Sequence, residues 1–192
     1  MEYIEEEYKK MCKEKMLRTY VIKLHPNNPR VFDFCRGNCV IGVGWRLNIT
    51  VAERVKSIDD FDSLRESELI TPLSGADKSS LTRSVNYLKE IVENDGGLLW
   101  TKTEEDDYYL CHTNGIYSYR GSEREEDKNF VALDVVNCLD CEHFYYIPKY
   151  LVPSQITRNY RAFYATLSKT DEETEKQTNA LYNYINTYCN SL

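Results

Sequence analysis

The chain is short of the side chains that most often carry acid–base or metal chemistry. It has three histidines in 192 residues, His25, His112 and His143. His25 precedes Pro26 in a turn signal and reads as a surface residue. No apolar run approaches the roughly 20 residues of a membrane-spanning helix, which excludes a transmembrane helix. The first seven residues, Met1-Glu2-Tyr3-Ile4-Glu5-Glu6-Glu7, are acidic and lack the apolar centre of an export signal. With seven cysteines, an odd number, the expectation is a cytoplasmic protein with reduced thiols. There is no Gly/Ser-rich hinge, low-complexity stretch or internal repeat, so a single domain over residues 1–192 is expected. Gly42-x-Gly44 lacks the third glycine of a dinucleotide site, and no Walker loop is present.

What is there fits a soluble globular chain: 42% apolar and 29% charged residues. A chain of this length buries roughly 70% of its unfolded surface, so it needs no disulfides to make a core. The formal charge of −7 hides a segregation along the sequence. Nine basic residues between Tyr8 and Arg46 face only Glu14 and Asp33, a net +7. Ile147 to Lys169 holds no acid and is +4. The acids gather in Asp59–Glu68, Glu104–Asp107, Glu123–Asp127 and Asp171–Glu175. If the two basic segments meet, they make a positive face suited to an anionic partner. Sixteen tyrosines, six phenylalanines and two tryptophans, several interleaved with those cations, supply rings on which bases stack.

Periodicity gives an α+β pattern. Residues 3–17 read as an amphipathic helix and 19–24 as a strand. Residues 30–35 are a strand or a short helix, and 39–45 are a strand. Residues 51–70 read as one or two helices, and Leu81, Val85, Leu88, Ile91 and Val92 mark another, stopped by Gly96-Gly97. Strands are expected over 98–101 and 108–112, with the acidic run 104–107 as a loop. Asn114-Gly115 signals a tight hairpin into 116–119. Strands over 130–137 and 142–147, a helical turn over 152–158 and a strand over 163–167 follow. Asp171 caps a last helix with Leu181, Tyr184, Ile185 and Tyr188 on one face. Together they predict a curled antiparallel sheet flanked by N- and C-terminal helices, 1–17 and 170–189.

Catalytic constellations are weak. Cys111 and His112 are adjacent on a strand and point to opposite faces, so they cannot form a dyad. Cys138-x-x-Cys141 with His143 has zinc-knuckle spacing but lacks a fourth ligand, unless Cys111, Cys35 or Cys39 supplies one. Buried small hydrophobes are the commoner fate of such cysteines. No cofactor is expected apart from that candidate zinc.

Four segments in order carry a resemblance: Cys39-Val-Ile-Gly-Val-Gly-Trp45, Gly97-Leu-Leu-Trp100, Tyr108-Tyr-Leu-Cys-His-Thr-Asn-Gly-Ile-Tyr117 and Val152-Pro-Ser-Gln-Ile156. Over residues 18–167 the chain resembles the PUA-like superfamily, closest to EVE-type and related domains found beside nucleases in bacterial defence systems. Two departures stand out: Gly97-Leu98 replaces a Gly-Asp pair, and the hairpin is unusually acidic. The resemblance implies a small curled β-barrel that reads a nucleic-acid base, often modified or flipped, in an aromatic pocket. It would place Trp45, Trp100, Tyr108, Tyr117 and Tyr119 at that pocket, and Arg46, Arg158 and Arg161 on flanking phosphates. Two other readings stand beside this non-enzymatic module. One is a phage or mobile-element inhibitor or adaptor that blocks a nucleic-acid-handling defence protein, its acidic clusters competing for a basic groove. The other is a small zinc- or thiol-dependent enzyme at Cys138, Cys141 and His143.

Overall fold

The computed structural model describes residues 16–24, 30–70, 73–121, 135–162 and 166–189. They form β1 (Thr19–Ile22), α1 (Arg30–Gly37), β2 (Val40–Val43), α2 (Ile49–Ala52), α3 (Ile58–Glu68), α4 (Gly75–Glu93), β3 (Gly97–Lys102), β4 (Tyr108–Tyr119), β5 (Asn137–Ile147), α5 (Ser154–Ala162), β6 (Leu167–Lys169) and α6 (Glu172–Cys189). A 3-10 turn, Lys149–Leu151, links β5 to α5. The fold is α+β. The expected helix over 3–17 lies outside the described residues as far as residue 15, and Met16 and Leu17 are not helical.

The strands make one six-stranded sheet in the order β2-β5-β4-β3-β1-β6. β1 pairs with β3 in parallel, Thr19 opposite Leu98 and Val21 opposite Trp100. The other neighbours are antiparallel. The sheet is therefore mixed rather than wholly antiparallel, and open rather than closed into a barrel. The physical reason is the long crossover. Four helices and β2 intervene between β1 and β3, and such a connection returns the chain in the same direction.

Helices cover both faces of the sheet, and strand alternation sorts the core into two layers. Tyr20, Ile22, Leu99, Cys111 and Leu139 join Val31, Phe32, Phe61, Leu81, Val85, Leu88 and Ile91 from α1, α3 and α4. Val21, Leu98, Trp100, Tyr108, Leu110 and Ile147 join Ile156 of α5 with Tyr182 and Ile185 of α6. Each fully buried side chain of this size contributes about 1.5–3 kcal/mol of hydrophobic free energy. Local signals set the helix ends. Ser57 and Asp60 form a reciprocal capping box on α3, and Asp171 accepts from Thr174 N at 2.8 Å ahead of α6. On α6 the buried stripe is Thr174, Glu175, Thr178, Asn179, Tyr182 and Ile185, while Tyr184 is 62% exposed. Tyr184 does not belong to the stripe, because it lies about 100° around the helix from Ile185.

Asn114-Gly115 makes no hairpin. β4 runs through it without a break, irregular between Thr113 and Tyr117. Gly115 has φ +76, and a Cβ there would lie 2.8 Å from Gly96 N. Its left-handed freedom lets β4 pass beneath the α4–β3 turn instead of reversing the chain. The strands expected over 130–137 and 142–147 become a single strand; 130–134 lie outside the described residues.

Candidate functional site

Four of the residues assigned to binding come together where β2 ends. The loop Gly44–Asn48 leaves β2 and runs back along the end of α3: Leu47 bridges Leu69, Asn48 N donates to Glu68 O at 2.7 Å, and Ile70 N donates to Arg46 O at 3.0 Å. Within it Trp45 has φ +71. A bulky side chain in the left-handed region is an outlier that the surroundings must hold.

Three polar side chains do the holding. Asn137, fully buried at the start of β5, donates through Nδ2 to Gly44 O at 2.8 Å and to Trp45 O at 3.5 Å. The Tyr117 hydroxyl donates to Asn137 Oδ1 at 2.7 Å. Leu47 N donates to the Tyr119 hydroxyl oxygen at 2.7 Å, and the Tyr119 ring packs on Phe61. Arg46 Nε donates to Gly121 O at 3.2 Å. Burial pushes both tyrosine hydroxyls above their ordinary range, so both are neutral and Tyr117 is a proton donor. Gly42 lets the strands close: a Cβ there would meet Asn137 O at 2.3 Å. Gly42 thus serves the approach of β5. Trp45 itself is half-buried against the first core layer. The loop brings together a ring, a guanidinium and neutral hydrogen-bonding groups.

The other predicted rings do not join this loop. Trp100 is fully buried and donates from Nε1 to Thr178 Oγ1 of α6 at 3.0 Å. Tyr108 is buried beside it and meets Tyr160 edge-on. Both belong to the layer on the opposite face of the sheet from Tyr117, Tyr119 and Trp45. The sheet separates the two sets, so the five rings cannot line one pocket. A cleft of about 260 Å³, lined by Met16, Leu17, Arg18, Asn94, Gly96 and Glu175, contains none of them. Arg158 is exposed on α5, close enough to Asp171 to favour its charged form. The Arg161 side chain lies outside the described residues.

The cysteine–histidine trio is also divided. Register runs from His112 opposite His143 to Thr113 opposite Cys141, which leaves Glu142 as an extra residue in β5. That bulge puts Cys141 in the first core layer. His143 lies on the α6 side, where it stacks on Tyr145, whose hydroxyl donates to Asn186 of α6. The Cys138 thiol approaches the Val135 carbonyl and the Cys141 thiol the Leu139 carbonyl, and burial raises the Cys141 thiol. Among the described residues no three His, Cys, Asp or Glu side chains converge as a metal site. His112 faces α6, stacked on Tyr182 with Nδ1 2.7 Å from Glu142. Cys111 lies in the other layer, as strand alternation requires.

The two basic segments do meet. β1 pairs with β6, Lys23 N donates to Thr166 O at 2.8 Å, and the Tyr160 hydroxyl sits 3.0 Å from Ile22 O. Burial and the neighbouring Lys102 charge both lower the Lys23 pKa. The acidic β3–β4 loop reaches the same end of the sheet, however. Asp106 pairs with Lys102 and lies 3.4 Å from Lys149. The expected positive face is partly neutralised where it forms.

Two residues at the Trp45 loop escaped the sequence reading, Asn137 and Gly121. Asn137 had a signal: a lone amide between Val135-Val136 and Cys138-Leu139, where an unpaired polar group would be costly. Gly121 had none, because its role appears only once the Tyr119 hydroxyl stands 2.2 Å from where its Cβ would be. No helix among the described residues is long and apolar enough to cross a membrane. No protein-family model, curated protein or solved structure matches this chain.

Proposed function

We propose that the chain is a non-enzymatic nucleic-acid-recognition module of the PUA-like kind, which reads a modified or flipped base against Trp45. The observation that carries this reading is the left-handed Trp45 backbone, φ +71, fixed by Asn137, Tyr117 and Tyr119. A conformation of this kind costs about 1–3 kcal/mol and is kept where its surroundings over-determine it, most often at ligand sites. A flipped base that stacks on the ring regains about 1–3 kcal/mol, and Arg46, next in the chain, puts a positive charge beside it. Trp100 and Tyr108 serve packing in this reading, and base recognition falls to Trp45 with Tyr117 and Tyr119.

The test is binding of short oligonucleotides carrying modified and unmodified bases, followed by tryptophan fluorescence over a salt series. Trp45 should respond, because Trp100 is sealed in the core. Affinity should weaken as salt rises if Arg46 meets phosphate. Trp45→Ala should lower affinity about 10- to 100-fold, the equivalent of one lost stacking contact. No binding at low salt would sink the proposal. The inhibitor reading draws on the exposed run Glu104–Asp107 at the tip of β3–β4. It predicts capture of a basic nuclease partner that is lost when these acids are neutralised.

A further inference from the structure

Cys39 and Cys141 are neighbours across a strand pair and are used by neither the Trp45 loop nor a metal site. Cys39 stands between α1 and β2, exposed, with φ +51. Its N–H donates to Arg36 O at 3.3 Å, and its carbonyl accepts from Cys141 N at 2.8 Å. Val40 is opposite Asp140, so continuing the register by one residue sets Cys39 opposite Cys141. Opposed residues in antiparallel strands have Cα atoms about 4.5–5.5 Å apart, inside the roughly 4.4–6.8 Å that a disulfide spans. Burial holds the Cys141 thiol up, and the charges of Cys35, Asp140 and then Cys39 add to that. Cys141 is 5% exposed and Cys39 is open to solvent, which fixes an order of events: an external reagent reaches Cys39, and Cys141 can act only on what Cys39 has become.

We propose that Cys39 and Cys141 form a thiol-oxidation site that takes small disulfides of the glutathione class. The Cys39 thiolate attacks one sulfur of the small disulfide, the S–S bond breaks, and one small thiolate leaves and takes up a proton. Cys141 gives up its proton and attacks the Cys39 sulfur of the mixed disulfide, and the second small thiol departs. The small disulfide is reduced to two thiols, and the protein loses two hydrogens. The new bond ties the end of α1 to the middle of β5.

The experiment is incubation of the reduced full-length protein with oxidised glutathione, followed by intact mass and non-reducing peptide mapping. The expected product yields a linked Cys39–Cys141 peptide that has lost two hydrogens and carries no glutathione on either cysteine. Cys141→Ser should stop at one glutathione held on Cys39, and Cys39→Ser should leave Cys141 unmodified. The wild-type map stands on its own if either variant folds poorly. A wild-type product that keeps glutathione on Cys39, links Cys39 to the nearby Cys35, joins two chains, or stays fully reduced would overturn the proposal.

Discussion

The two tryptophans occupy opposite situations, and the contrast separates what the fold needs from what it can spare for a ligand. Trp100 lies mid-strand with both neighbours buried, its ring sealed between the sheet and α6, and its one polar atom satisfied by Thr178. Trp45 lies off the end of a strand, half-buried, with a backbone its own side chain disfavours. At position 100 the ring supports its surroundings, whereas at position 45 the surroundings support the ring. Buried Asn137 and the Tyr119 hydroxyl are committed to the Gly44–Leu47 backbone, and the Tyr117 hydroxyl is committed to Asn137; an ordinary loop does not require that.

The sharpest way to break this comparison is to remove the ring at position 100. Trp100→Ala should cost about 3–5 kcal/mol, since it opens a cavity in a close-packed layer and strands the Thr178 hydroxyl. The cost would be read as a lower denaturant midpoint at unchanged slope. A loss below about 1 kcal/mol would mean that Trp100 does not carry the α6 layer and that the two tryptophans are less different than the burial implies. Asn137→Ala comes next. It leaves the Tyr117 hydroxyl and the Gly44 carbonyl without their partner, a penalty of about 1–3 kcal/mol. It should also release Trp45 from its left-handed backbone. Trp45 fluorescence should shift toward that of a solvated indole, whereas Trp100→Ala should leave it unchanged. An unaltered spectrum in Asn137→Ala would show that the loop holds its shape without the amide.

The sequence carried the helices and the strand alternation, because periodicity and capping are local. Asp171 is legible as a helix start, and Leu81, Val85, Leu88 and Ile91 as one buried stripe. It did not carry pairing. The parallel β1–β3 contact, the open edges and the passage of β4 through Asn114-Gly115 depend on what lies across the sheet, and a strong turn dipeptide yields when its glycine is needed for a close approach. The site was half legible for the same reason. Trp45-Arg46 and Tyr117-x-Tyr119 were named from short segments. Their division from Trp100 and Tyr108 follows from which face each strand position takes, and one bulged residue, Glu142, suffices to part His143 from Cys141. The segregated charge was likewise legible, but the return of Glu104–Asp107 to the lysines was not.

The smallest expected effect concerns the helix that seals Trp100. The Asp171 carboxylate accepts from Thr174 N, and that hydrogen bond, with the Thr174 side chain and Arg158, holds it below the usual carboxylate range. A carboxyl whose pKa is lower folded than unfolded stabilises the fold above its unfolded value, about 3.9. That contribution fades as pH falls through the folded value. Asp171→Asn keeps a capping oxygen and removes the charge. Thermal midpoints measured from pH 6 down to pH 2 should therefore fall less steeply in the variant than in the parent, and the two curves should converge at the acid end. Because Asp171 caps α6 and makes no contact with the Trp45 loop, Trp45 emission in the folded variant should match the parent at every pH. A parallel pair of midpoint curves would show that the carboxylate adds nothing beyond what an amide supplies. A shifted Trp45 signal would show instead that the two tryptophan regions are coupled through the sheet.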